Sequence, residues 1–187
     1  MITDFLLDDN DQIIGVSDEW DSYALQNGGD GAQRGMVLGQ AIWRYISDPA
    51  TRAYLTQIFT ACRTYGQPFS NQYRGDSPGR KRYYLMDVTP DGAGNLLVRH
   101  RPLTQTLIPN SGDEGGIGPD VRTVRCSVCC LYRVGQDWLD IPAQTGDQIA
   151  PDCMFTVCES CNQSAQRKLD AMRPDTAEFL KHKISGQ

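Results

Sequence analysis

The chain has 187 residues, 40% hydrophobic and 22% charged, with a formal net charge of -5, which suits one or two globular domains with a real core. The acidic balance argues against a general grip on nucleic acid, which needs clustered Lys and Arg. No stretch reads as a signal peptide or a membrane span, so a cytoplasmic protein is expected. There, seven cysteines suit metal binding or a reduced state better than a disulfide framework.

In chain order, FLL (5–7) and QIIGV (12–16) read as short strands joined by the turn-rich DDND, a hairpin pattern. Ser17 is a candidate cap for a helix through DEWDSYALQN, which Gly28 and Gly29 stop. A polar loop and VLGQAIWRYI follow. The next helix is the best marked, with Asp48 at the cap, Pro49 at the first helical position and Gly66 just past the end. Leu55, Ile58, Phe59 and Cys62 fall on it at i, i+3, i+4 and i+7, one apolar stripe. Three strands come next, at 68–74, 82–88 and 95–101, separated by GDSPG and TPDGAG. This order predicts an α+β unit, an antiparallel sheet with its helices on one face.

Residues 104–120, TQTLIPNSGDEGGIGPD, are rich in Gly, Pro, Ser and acid and read as a linker. They separate an expected first domain at 1–103 from a cysteine-bearing one at 121–187. The first holds 10 basic and 12 acidic side chains; residues 120–187 hold 8 and 9. Neither part is basic.

Over about residues 4–103 the element order resembles the PAS fold, a five-stranded antiparallel sheet cupping a helical side. GVSDEW with VLGQAIWRYI is similar to the first helix and following turn of one PAS subgroup. YRGDSPGRKRYYLMDVTP with LLVRH is similar to that subgroup's strand pair. Gly75 departs from its usual small or thiol residue. The resemblance implies a sensor, and an interior that can hold a small ligand. Leu55, Ile58, Phe59, Cys62, Tyr84, Met86, Val98 and His100 are the expected lining. Neither haem nor flavin is expected: the long helix has no histidine, and VLGQAIWRYI lacks the reactive cysteine of flavin-adduct relatives.

The second part carries Cys126 and Cys129 as one C-x-x-C, and Cys158 and Cys161 as another, with 28 residues between. Two such pairs match a closed four-thiolate zinc site, because each short turn can aim both sulfurs at one metal. A redox dithiol would need a βαβ context, and a c-type haem motif would need His where Cys130 stands. CSVCCLYRVGQDW and VCESC also resemble a zinc-knuckle tail of bacterial signalling proteins; Ser127, Arg133 and Trp138 match it, while Cys130 replaces its usual lysine. Cys130 and Cys153 read as small buried hydrophobes. Cys161, Ala165, Leu169 and Met172 form a helical stripe, and a further helix is expected after Pro174.

The remaining motifs favour bland readings. Asp8, Asn10 and Glu19 imitate a calcium loop whose glycine is replaced by Ile13. RGD at 74–76 is a turn between strands, Arg80–Arg82 a solvated strand start, and His100 a hydrogen-bonded core residue. With His100 and His182 the only histidines, and no catalytic triad or phosphate loop, no enzyme is expected. The expectation is a regulatory module with a structural zinc. It works through a protein partner such as a signalling kinase or regulator, takes an unidentified small ligand, and forms a homodimer, with no nucleic acid and no membrane. The alternatives are a nucleic-acid-binding zinc protein and a thiol-disulfide oxidoreductase.

Overall fold

The computed structural model describes residues 3–76, 80–107, 124–141 and 153–174. Strand β1 (Thr3–Leu7) turns at Asp8–Asp11 into β2 (Ile13–Val16). The Asp8 carboxylate accepts from the amides of Asn10 and Gln12, so the acid-rich stretch forms a hairpin turn. Helix α1 (Trp20–Gln26) follows. Ser17 does not cap it; its hydroxyl accepts from the Asp4 amide instead, at 3.3 Å. Next come α2 (Arg34–Val37) and a short turn of helix at Ile42–Tyr45.

Helix α3 (Pro49–Tyr65) obeys its local sequence. The Asp48 carboxylate accepts from the amides of Ala50 and Thr51, Pro49 opens the helix, and Gly66 closes it at a φ of 63°, where only glycine is unstrained. Ile58 and Cys62 are fully buried on its stripe and Phe59 nearly so. At the far end of the helix, the Arg63 guanidinium bonds the backbone carbonyls of Asp8 and Gly94 and pairs with Asp11. It ties the helix to two hairpin turns at once.

Strands β3 (Phe69–Arg74), β4 (Arg80–Pro90) and β5 (Leu96–Leu107) complete an antiparallel sheet in the order β2-β1-β5-β4-β3. Five strands with helices on one face is the architecture that the PAS resemblance implies. Inward residues alternate along each strand: Phe5 and Leu7, Met86 and Val88, Leu96 and Val98 are all buried. The final hairpin is longer than its sequence suggests. Arg80 pairs with Leu107 and Tyr83 with Thr104, so residues 104–107 continue β5, and the rest of the expected linker lies outside the described residues.

The cysteine segment forms a small sheet in the order β8-β7-β6-β9. Its strands are β6 (Val124–Cys126), β7 (Tyr132–Val134), β8 (Asp137–Leu139) and β9 (Met154–Thr156). Helix α4 (Glu159–Ala171) follows, burying Ala165, Leu169 and Met172 of its predicted stripe. The helix expected after Pro174 lies outside the described residues. This segment packs on the larger sheet, and one apolar cluster runs from Phe5 and Leu96 through to Val128, Val157 and Leu169. The Arg74 amide donates to the Val128 carbonyl at 2.8 Å, and Lys168 Nζ donates to the Ser70 carbonyl at 2.8 Å. The cysteine segment thus covers the otherwise open edge of β3, the kind of edge that invites unwanted pairing.

Candidate metal centre

Local geometry brings the four predicted ligands together. Cys126 ends β6, and the chain turns so that the Cys130 amide donates to the Cys126 carbonyl at 2.9 Å. The Cys126 amide then donates to the Leu131 carbonyl, also at 2.9 Å. Closing this turn requires a left-handed residue just after the second cysteine, and Cys130 supplies it at a φ of 60°. The second pair sits where β9 meets α4. Cys158 is the N-terminal cap residue and Cys161 lies in the first turn. Helix dipoles favour negative charge at that end, thiolates included.

The sulfurs of Cys126, Cys129, Cys158 and Cys161 all lie within 4.8 Å of one another. A tetrahedron with metal–sulfur bonds of about 2.3 Å has edges of about 3.8 Å; Cys129 and Cys158 are 3.8 Å apart. The amides of Val128 and Cys158 point at Cys126 Sγ, at 3.4 and 3.3 Å. Hydrogen bonds from the Cys129 and Cys161 thiols, helped by the backbone amides of Cys158 and Cys129, hold the Cys126 thiol well below its ordinary range, as suits a metal-ligating thiolate. Cys126 and Cys158 are buried; Cys129 and Cys161 are half-buried. Four sulfurs at this spacing can hold one metal ion and leave no protein-facing position open for water or substrate.

The two other cysteines of this segment stand aside. The buried Cys130 thiol donates to the Arg74 carbonyl at 3.2 Å, and Cys153 is half-exposed with its thiol toward the Met154 carbonyl. Cys130 therefore links the first knuckle to β3 through its bond to Arg74.

Around Cys130 lies a charged interlock that the sequence did not announce. Arg74 pairs with Asp76 at 2.5 Å and with Asp140 at 3.1 Å. Arg125 reaches the same Asp76 carboxylate at 3.2 Å, and Lys81 meets Asp140 at 2.6 Å. The Arg74 and Arg125 side chains are 9% and 7% exposed, and since a guanidinium stays charged even when buried, the carboxylates offset a large desolvation cost. Burial works against ionising Asp140, yet the bonds from Lys81 and Arg74 hold its carboxyl below the usual carboxylate range. Asp76, read from sequence as a turn residue, joins the two sheets.

The expected ligand-pocket residues divide. Ile58, Phe59, Cys62 and Val98 are buried in the core. Leu55, Met86 and His100 line a cavity of about 140 Å³. Its remaining wall includes Tyr54, Tyr73 and, from the first knuckle, Ser127 and Val128. Thr51 of α3 donates to the Ser127 hydroxyl at 2.7 Å, so helix and knuckle meet at the cavity rim. His100 shares a 2.9 Å hydrogen bond with Tyr73 and stacks on Phe5; burial lowers its pKa to about 4 and keeps it neutral. Tyr84 lies elsewhere, on a cleft beside α1.

No protein-family model and no curated protein matches the chain. A domain of an HTR-like protein from Haloarcula marismortui ATCC 43049 is similar at 17% identity and a TM-score of 0.41, over 55% of this chain and 98% of that one. The PAS domain of an HTR-like protein from Haloarcula marismortui is similar at 14% identity and a TM-score of 0.36, over 55% of this chain and 81% of that one. Among the described residues no helix is long and apolar enough to cross a membrane.

Proposed function

We propose that this protein is a PAS-like sensory or regulatory module whose cysteine segment holds one structural zinc, and that it acts by changing its contacts with a partner protein rather than by catalysis. The metal assignment rests on the all-sulfur donor set and its spacing, which suit zinc better than the harder ions that prefer oxygen. When bound, zinc would supply cross-linking and folding free energy.

The single observation that carries the regulatory reading is the shared wall of the small cavity. Its floor is the sheet and α3, and its roof is Ser127 and Val128, the two residues inside the first C-x-x-C. Anything that alters the packing of that interior moves the knuckle, and with it the surface of the cysteine segment, because tightly packed cores pass on displacement instead of absorbing it. The reading extends to a protein partner on that surface and to a homodimer.

The test is amide exchange on the zinc-loaded protein with the cavity filled by Leu55→Trp. The expected result is altered protection at 126–130 and in α4 together with the cavity strands. Altered protection confined to α3 and the large sheet would contradict the coupling.

A further inference from the structure

A cleft of about 510 Å³ lies between the C-terminal end of α1 and the extended β4–β5 hairpin. It is separate from the cysteine centre and from the small cavity. Arg82 enters it from β4. Counting back by twos from the inward residues Met86 and Tyr84 places Arg82 on the helix-facing side of the sheet, where it is half-buried at the edge of the cleft.

Guanidinium groups elsewhere that are buried or half-buried meet carboxylates: Arg63 meets Asp11, while Arg74 and Arg125 share Asp76. Arg82 forms no ion pair among the described residues. Its one side-chain hydrogen bond there is from Nη1 to Asn27 Oδ1, at 3.2 Å. Asn27 is fixed for that role, because its Nδ2 donates to the Tyr23 carbonyl at 2.8 Å. Arg82 Nε is buried with no partner among the described residues, an arrangement that costs free energy until something pairs it. None of the described residues lining the cleft is acidic.

We propose that this cleft binds a small organic carboxylate. The unused Nε–Nη2 edge of Arg82 is a planar fork that fits the two oxygens of a carboxylate. A modest turn of the guanidinium toward the cleft would pair the orphaned Nε. Tyr23, Tyr84, Pro102 and Leu103 offer flat, apolar walls for the body of the molecule, and Gln105, opposite Arg82 in the sheet, offers an amide at its edge. The Tyr23 phenol is pushed up to about 12, first by burial and then by its hydrogen bond with Tyr84, so it stays a neutral donor and does not repel an anion. This assignment is independent of the regulatory reading above, and either can fail alone.

The probe is benzoate, titrated into full-length protein with the Arg82 Nε–H signal followed by nuclear magnetic resonance. Saturable one-to-one binding that moves this signal is expected, with neutral benzamide weaker by about tenfold or more. Arg82→Gln should weaken benzoate by a similar factor. Leu103→Trp, which fills the cleft from an exposed wall and leaves Arg82 in place, should do the same if the first variant folds poorly. Inorganic phosphate should not displace benzoate at equal concentration. Equal binding of benzamide, unchanged affinity in both variants, no movement of the Arg82 signal, or displacement by phosphate would each overturn the assignment.

Discussion

The large sheet and the cysteine segment are built on different principles. The first has strands of 11 and 12 residues in its main hairpin and a core of fully buried Leu7, Ile13, Ile58, Val88 and Leu96. The second has strands of three residues, and several of its large apolar side chains, Leu139, Met154 and Phe155 among them, stay exposed. Apolar burial can hold the first; it is too sparse to hold the second. What remains for the cysteine segment is four sulfurs, the charged interlock and its seat on β3. Small units in proteins commonly need such a staple.

The sharpest way to break this comparison is to remove the staple. Cys126→Ser, or stripping the metal with a chelator, should withdraw folding free energy on the order of 10 kcal/mol from the cysteine segment. Amide exchange should then show protection lost across 124–141 and 153–172 and largely kept in β1, β4 and β5. Equal loss in both regions would mean that the large sheet depends on the metal as well.

Next in size is the interlock. Asp76→Ala leaves Arg74 and Arg125 buried without their shared carboxylate, and breaking such a pair costs about 3–5 kcal/mol. Denaturant unfolding should report that loss. Ile58→Ala, by contrast, opens a void in the large core and should cost about 2–5 kcal/mol while leaving metal content unchanged. An Asp76→Ala variant as stable as the parent would remove the interlock from the account.

Acid should also separate the two regions. The unfolded chain protonates His100 near 6.5 and the folded one only near 4, so the unfolded state binds more protons between those values. Stability of the large sheet therefore falls as pH drops from about 6.5 to about 4, by roughly 3 kcal/mol at most. Asp140 has the opposite chemistry and a lower window: its folded pKa lies below 3.8, so its contribution is present above that value and is lost as pH falls past it. His100→Gln should flatten the upper part of the stability profile, measured by denaturant unfolding at a series of pH values. A slope that persists unchanged would assign it to other groups.

The smallest effects belong to the spare cysteines. Cys130→Ser replaces a buried thiol that bonds the Arg74 carbonyl and should cost about 1 kcal/mol; Cys153→Ser should cost less. Thermal unfolding of the two variants ranks them.

How much of this was legible in the sequence follows the distance between partners. Helix α3 could be read because its cap, stripe and terminal glycine act within a few residues of one another. The four sulfurs could be read because each pair is set by a turn of four residues, although nothing local showed that Cys158 would cap a helix. The interlock could not: Asp76 and Arg125 are 49 positions apart and Arg74 and Asp140 are 66 apart, and each residue alone looks like a surface charge. Arg82 was missed for the same reason. In a basic run it resembles a solvated strand start, and only the pleat of β4 turns it inward. The cavity was half legible: the inward strand positions supplied Met86 and His100, but its roof comes from the knuckle, which no local pattern connects to the sheet.

The most direct test of the central claim is zinc stoichiometry measured by native mass spectrometry on the parent and on six single Cys→Ser variants, at positions 126, 129, 130, 153, 158 and 161. The account predicts one zinc per chain in the parent and in the 130 and 153 variants, and loss of zinc in the other four. Full zinc in any of those four, or its loss on changing Cys130, would contradict it.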